Sequence, residues 1–316
     1  MIKKNWKKQQ ILTVGSATLD LFFQSNDFPE IEKGMRLSLA YGGKYIADEF
    51  AICPGGGATN TAVSLARQGF KVFCWSKIAN DCVGKQLIDN LKKEKVSIDL
   101  LENHSKQTTI SIILLGKGRE RTIVTFRAAN DKLDLNNRVK KRFKKASWVF
   151  FSGLARTTKE LKLSLIKYAK QTNTKVVLAL SGNEYKKGFN YLDEYFQLSD
   201  IFMVNAHELA DIWGGNAPDL DLNKTNYAKK LKVPLLVVTY DVHGSWAYTE
   251  AKIYHQPIVK PTRIIDTTGA GDAFGAGFLG KYIKTNNIQE SLGFAAENSA
   301  SVISHISTQK GLLYDK

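Results

Sequence analysis

The chain has 316 residues, of which 43% are hydrophobic and 24% charged, proportions ordinary for a protein with a large buried core. No run of 18 apolar residues occurs, which excludes a helical membrane span. The net charge of +15 raises nucleic acid as a partner. However, the lysines are spread along amphipathic segments such as 91–95 and 138–145, and no recognised DNA- or RNA-binding module is present. Neither nucleic acid nor a membrane is expected as a partner. Cys53, Cys74 and Cys82 make an odd count without C-x-x-C spacing, and the five histidines never reach metal-ligand spacing. This suits a reducing, cytoplasmic location and argues against structural zinc.

Residues 1–10 read as a basic extension, because the apolar stretch that follows is broken at Gly15, Ser16 and Asp20. Ile11-Leu-Thr-Val-Gly reads as a buried strand ending in a turn. Over 36–53, Leu37, Leu39 and Tyr41 alternate with polar or small residues. Gly42-Gly43 makes a turn and an extended pattern resumes, which predicts a long hairpin. A second hairpin is expected at 108–127. Elsewhere strands alternate with helices. Strands are expected at 71–75, 148–151, 175–180, 201–204 and 235–239, and helices at about 57–69, 81–94, 157–172, 206–213, 223–231, 269–284 and 288–304. Buried apolar strands separated by helices imply a parallel sheet covered on both faces. Ligands then bind beyond the carboxyl ends of the strands. That rule places 15–20, 205–208, 239–244 and the loop at Asp266 on one rim. The two hairpins interrupt the alternation and predict a small antiparallel sheet standing apart as a lid, built from about 34–53 and 108–127.

The loop at 266–272 reads D-T-T-G-A-G-D and runs into a helical pattern that reaches about Lys284. Gly269, Ala270 and Gly271 carry almost no side chain, so unpaired N–H groups at the helix start can approach an anion closely. Asp272 lies in the same first turn. Gly275-Ala-Gly-Phe-Leu-Gly280 formally matches G-x-G-x-x-G, and Lys281 nearly completes a P-loop. But Tyr282 stands where a P-loop needs Ser or Thr, and the segment lies inside a helix. Close helix packing is the better account of these glycines.

A second glycine cluster, Pro54-Gly-Gly-Gly-Ala-Thr-Asn-Thr-Ala-Val, opens another helix. Residues 54–69 together with 266–280 resemble the two signatures of the ribokinase-like (PfkB) carbohydrate kinases. The likeness extends to Gly15–Asp20, to Lys77-Ile-Ala-Asn-Asp-Cys-Val-Gly and to Asn205-Ala-His-Glu208, and covers residues 11–312. It implies a three-layer α/β/α fold over 11–316, with a mostly parallel sheet and a small antiparallel β lid. It also implies an ATP-dependent phosphotransferase. Asp272 would be the catalytic base, and the amides of Gly269, Ala270 and Gly271 the anion hole for a loose phosphoryl transition state. Asp20 and Asn60, with the Gly55-Gly56 backbone, would grip sugar hydroxyls. Asn205 and Glu208 would organise Mg²⁺ and phosphates, Glu208 through water. Thr239, Gly244 and Asn298 would line the nucleotide site. Asp266 and the Thr268 carbonyl would bind a monovalent cation such as K⁺. Asn205–Glu208 alone also fits a helix N-cap with a first-turn acid.

Several positions depart from that pattern. Tyr240-Asp241 replaces a glycine-containing turn, Gly57 stands where ribokinases carry Lys, Thr18 where they carry Asn, and Ala79 where Gly is common. The expected acceptor is a hydroxyl of a ribose- or fructose-like sugar. A nucleoside such as adenosine is the alternative, and a non-catalytic sugar or nucleotide sensor a more distant one. Lid pairing between subunits in many relatives makes a homodimer the expected assembly, if there is one.

Overall fold

In the computed structural model, the described residues are 6–31, 36–104, 107–116, 121–127, 133–153, 157–180 and 182–315. After a 3₁₀ turn at Trp6–Lys8 come β1 (Gln10–Gly15), β2 (Thr18–Gln24), β3 (Glu30–Ile31), β4 (Arg36–Leu37) and β5 (Glu49–Gly55). Then follow α1 (Gly57–Arg67), β6 (Lys71–Ala79), α2 (Cys82–Lys93), β7 (Leu101–His104), β8 (Thr109–Leu115) and β9 (Arg121–Phe126). The middle of the chain forms α3 (Asn137–Phe143), β10 (Trp148–Ser152), α4 (Lys159–Gln171), β11 (Lys175–Ala179), α5 (Gly182–Tyr185), α6 (Phe189–Leu198), β12 (Ile201–Asn205) and α7 (Ala206–Asp211). The last part supplies α8 (Tyr227–Leu231), β13 (Leu236–Tyr240), β14 (Gly244–Tyr248), β15 (Ile253–Gln256), α9 (Ala270–Thr285) and α10 (Ile288–Val302).

The main sheet has the order β15-β14-β13-β12-β11-β10-β1-β6-β7. It is parallel from β7 to β13, and β14 and β15 close the edge antiparallel. Successive side chains on each strand point to opposite faces, and each face is apolar. On β10, Val149 and Phe151 join the core beneath α4 and α6, while Trp148 and Phe150 join the core beneath α1, α9 and α10. These are the three expected layers. The edge pair β14–β15 and helix α6 were not read from the sequence.

The smaller sheet has the order β5-β2-β8-β9, antiparallel at its two outer pairings and parallel between β2 and β8. The hairpin expected at 108–127 is β8–β9, of which 117–120 lie outside the described residues. The hairpin expected at 36–53 does not form. Residues 34 and 35 lie outside the described residues, β4 pairs with β3, and β5 pairs with β2 over seven residues. Leu39 and Tyr41 are exposed, so the 37–41 alternation has no face to bury, whereas β2 offers β5 a buried one. Of the basic extension, 1–5 lie outside the described residues, and Trp6 packs edge-on against Phe70. The strand β2 runs straight on from β1, which joins the lid to the centre of the main sheet.

Of the four glycines within α9, those at 275, 277 and 280 meet three different neighbours. A Cβ at Gly275 would touch Phe150 and Met203 on the sheet, one at Gly277 would touch Ala295 and Asn298 on α10, and one at Gly280 would meet Gln68 on α1. Gly15, at the end of β1, is tighter still. Its φ is +157°, and a Cβ would stand 2.0 Å from the Ser152 carbonyl oxygen. Gly271 has nothing within 4 Å. Gly15→Ala is therefore expected to cost about 3 kcal/mol or more in unfolding free energy by urea denaturation, by overpacking against backbone. Gly271→Ala should cost nothing, since a helical alanine is favoured over glycine.

Candidate active site

The first turn of α9 lies at the carboxyl ends of β1 and β10. Gly269 caps the helix in the left-handed region at φ +80°, and a Cβ there would strike Thr308. Asp272 Oδ2 accepts a hydrogen bond from Asn60 Nδ2 at 2.9 Å, and its Oδ1 accepts one from Ser152 Oγ at 3.2 Å. Burial raises the Asp272 pKa above the usual carboxylate value, and these two hydrogen bonds pull it back down. The N–H of Ala270 spends itself on Thr267 O at 3.3 Å, a long bond that an incoming anion can displace. Gly57 also has a reason here: a side chain on it would collide with Ser152 Oγ, 2.1 Å from the Cβ position.

A cavity of about 490 Å³ opens beside Asp272 and is roofed by the smaller sheet. The inner face of that sheet supplies Asp20, Thr109, Ser111 and Thr125 to its wall. Asp20 is buried, takes hydrogen bonds from Thr18 at 3.0 Å and from Ser111, and its pKa is pushed up to about 6. Burial is the main cause, and the negative charges of Asp266 and Asp272 add to it. Gly55 is required beneath Asp20, since a Cβ would lie 1.9 Å from Oδ2. Gly56 has φ +98° and packs its backbone against Ser16. The sequence reading missed Ser16, Thr109, Ser111, Thr125, Arg127, Ser152 and Thr308. Alternation along β8 and β9 could have revealed the lid residues, because each second one faces the cavity.

Asp266 is buried. Its Oδ1 accepts from the Thr268 N–H at 2.9 Å and the Thr268 hydroxyl at 2.7 Å, while Oδ2 is buried with no hydrogen-bond partner. A buried carboxylate oxygen left unsatisfied is costly, and a bound cation would relieve it. Arg121 on β9 hydrogen-bonds Thr267 in the same loop, bridging lid and helix start.

The remaining expected residues divide. Asn205 and Glu208 form a reciprocal capping box on α7, with Asn205 Oδ1 accepting from Glu208 N at 2.8 Å and Glu208 Oε2 from Asn205 N at 2.9 Å. Burial pushes Glu208 up to about 7. The helix-cap role is thus realised, with Asn205 Nδ2 and Glu208 Oε1 outside it. Thr239 pairs with Asn205 on the adjacent strand, and Gly244, at φ +98°, packs against the Gln256 carbonyl. Asp241 sits at φ +38° with its carboxylate 3.3 Å from His207 Nε2, an ion pair with the ring when protonated. Asn298 is not brought to this rim. It is buried and fully engaged, donating to Ser64 and Ala273 and accepting from Leu313. It cross-links α1, α9 and the C-terminal segment.

A sequence profile of the pfkB family carbohydrate kinases matches residues 8–313. The chain belongs to that family. Fructosamine kinase of Bacillus subtilis is 26% identical over 259 residues, 81% of this chain and 86% of that protein. Among solved structures, the nucleoside kinase of Methanocaldococcus jannaschii superposes with a TM-score of 0.74 at 23% identity, covering 96% of this chain and 95% of that one. Arabidopsis thaliana ribokinase, solved with ribose and ATP, gives 0.77 at 19% identity over 94% and 93%. The protein is accordingly a ribokinase-fold enzyme, a carbohydrate kinase of the pfkB family.

The electrostatics of Asp20 give a stability test. Its folded-state pKa, about 6, lies above the ordinary 3.8, so folding tightens its hold on a proton. That contribution is fully present below 3.8 and is lost as pH rises through about 6. Asp20→Asn should therefore raise the unfolding free energy of the ligand-free protein at pH 8 by about 1–3 kcal/mol. The gain should vanish toward pH 4, as measured by urea denaturation across pH.

Proposed function

We propose that this kinase transfers the γ-phosphoryl group of ATP to a hydroxyl of a small sugar, ribose- or fructose-like, with Asp272 as the base. The observation that carries the reading is the position of Asp272. It stands at a helix start rich in backbone N–H groups, held by Asn60 and Ser152, at the wall of the cavity that also holds Asp20. Gly269, Ala270 and Gly271 present their amides to the transferring phosphoryl group. Asp20 accepts hydrogen bonds from acceptor hydroxyls, and the Gly55-Gly56 backbone shapes the floor. The serine and threonine hydroxyls of the lid suit a polyol.

Asn205, Glu208, Thr239 and Gly244 line the nucleotide side. Asn298 takes no part in this reading, because its hydrogen-bonding capacity is spent in the core. Mg²⁺, when bound with ATP, neutralises phosphate charge, and Glu208 would hold its water shell. Among the described residues no cluster of three or more His, Cys, Asp or Glu side chains forms a metal site, so magnesium would be held mainly by phosphates and water. Asp266 Oδ2 and the Thr268 carbonyl would hold K⁺, a role that the unsatisfied Oδ2 supports.

An apolar patch of the same cavity, Ile113, Ile123 and Leu133, would accept a nucleobase and favours a nucleoside as the second reading. The outward face of the lid exposes Phe50, Ile52, Ile112, Val124 and Phe126, which supports a homodimer through the lid. A cytoplasmic location is consistent with the use of ATP.

A screen of pentoses, hexoses and nucleosides for ADP release, with and without K⁺, tests the substrate reading. Sugar-dependent release is expected; release with nucleosides alone would transfer the assignment to the nucleoside. Thermal stabilisation by ligand without any turnover would instead mark a sensor. Asp272→Asn should lower kcat by about 10²–10⁴-fold while sugar binding is largely kept. Near-normal turnover would remove Asp272 from its role.

A further inference from the structure

We propose that Gln309 is a positioning residue for phosphoryl transfer: acting through Asn60, it fixes which end of the Asn60 amide faces Asp272. The inference rests on the reading of Asp272 as the base. An asparagine amide can present either its NH₂ or its oxygen, and only the NH₂ attracts a carboxylate. The choice is made behind the cavity, where Asn60 Oδ1 accepts from Gln309 Nε2 at 3.0 Å and from Thr308 Oγ1 at 2.9 Å.

These two donors are not equivalent. Thr308 has a single hydroxyl proton and a second acceptor in reach, Pro54 O at 3.1 Å, so it cannot alone enforce the orientation. Gln309 can, because its own amide is pinned: Asn90 Nδ2 donates to Gln309 Oε1 at 2.9 Å. Its backbone carbonyl is also gripped by Arg67, which forms a two-point ion pair with Glu94. The result is a directional relay, Asn90 to Gln309 to Asn60 to Asp272, joining α2, the C-terminal segment, α1 and α9.

Asn60 and Gln309 are both buried, at 3% and 5% exposure, so water cannot replace a lost donor. Asn60 and Thr308 line the cavity, whereas Gln309 is absent from its wall and acts on the substrate only through Asn60. If the donor is lost, the amide is free to turn its oxygen toward Asp272. Two acceptors would then oppose each other, and the carboxylate would either rotate or take up a proton. Among the described residues, the charged groups that share the cavity wall with Asp272 are Asp20 on β2 and Arg127 beyond β9, and Asp266 lies in the loop before α9 and acts on Asp20. Substitution at Gln309 leaves all three in place.

The test compares Gln309→Met, which keeps the length without a donor, with Gln309→Glu, which keeps the shape but places an anionic acceptor against Asn60 Oδ1. Two quantities are read. The first is the pH profile of kcat and KM for whichever sugar the screen identifies. The second is the titration of the Asp272 carboxyl carbon in the ligand-free protein by ¹³C NMR, its resonance assigned by its absence in Asp272→Asn. Both variants should lower kcat by about 10–100-fold with sugar KM within a few-fold, and raise the Asp272 midpoint by roughly one pH unit, Gln309→Glu more than Gln309→Met. A purely structural role would lower thermal stability in both and leave the midpoint of the folded protein unchanged, and that result overturns the proposal. Asn90→Ala, at the partly exposed start of the relay, should give a smaller shift of the same sign and supplies the readout if the Gln309 variants do not fold. A midpoint that moves while turnover does not would leave the hydrogen-bond chain standing but overturn Gln309 as a positioning residue for phosphoryl transfer, whereas near-normal turnover of Asp272→Asn would remove Asp272 itself from the base role.

Discussion

The close packing of α9 is the constraint on which the rest of this structure depends. Where the helix meets the sheet, α10 and α1, it carries hydrogen in place of side chains at 275, 277 and 280, and the neighbours fill that space with Phe150, Ala295 and Gln68. Shape complementarity at this density leaves little freedom for the helix to slide or rotate. Its first turn is therefore delivered to a fixed point above β1 and β10. Asn298 reinforces the arrangement from within the core, bonding the Ala273 carbonyl one residue beyond Asp272. A helix start can bind an anion wherever it lies; here the packing determines which carboxylates and hydroxyls stand beside it.

The lid imposes the opposite kind of condition. Asp20 occupies a buried position on β2 that a hydrophobic residue would fill more favourably, and its raised pKa expresses that cost. The surrounding chain is adapted to keep the carboxylate there. Gly55 gives up its side chain to make room, and Thr18 and Ser111 hydrogen-bond to it without cancelling its charge. A carboxylate that is only partly satisfied by the protein retains acceptor capacity for a ligand's hydroxyls. On the proposed role of Asp20, stability is exchanged here for binding capacity, as functional sites often require.

Much of this was legible because glycine and carboxylate spacing is local. The loop at 266–272, the glycine cluster at 55–57 and the alternation of strands and helices all lie within short windows of sequence. Asp20, Asn60 and Asp272 could be named before any of their contacts were known. What was not legible depends on pairing across distance. Thr18–Gln24 follows a strand read as ending in a turn, and nothing local says that it forms a strand of its own or takes β5 as its partner. The alternation at 37–41 is a true period-2 pattern, but a pattern cannot reveal that its apolar side stays in solvent. Asn298 shows the same limit, since a polar residue on the last helix looks like a ligand contact until its three hydrogen bonds are counted. The partners of Asn60 lie some 250 residues away at Thr308 and Gln309, and no spacing rule connects them.

The two readings of Asn205–Glu208 meet in one geometry. A capping box consumes the Glu208 backbone N–H, Glu208 Oε2 and the Asn205 backbone N–H, yet it leaves one carboxylate oxygen and one amide NH₂ in addition. The cap fixes the Glu208 side chain, and burial holds its proton affinity near neutrality, so the free oxygen is both rigid and weakly charged. Asp241, which would otherwise bring a second negative charge to the same rim, is turned by its left-handed backbone toward His207. On the proposal that this rim takes the polyphosphate, capping holds the Glu208 carboxylate in place and the contact with His207 draws the Asp241 carboxylate aside. Asp272 follows the same logic. Burial raises its proton affinity, and the bonds from Asn60 and Ser152 lower it. On the proposed role of Asp272 as base, a loose phosphoryl transition state asks little of base strength, and the two hydrogen bonds matter chiefly for direction, holding the carboxylate at the wall of the cavity.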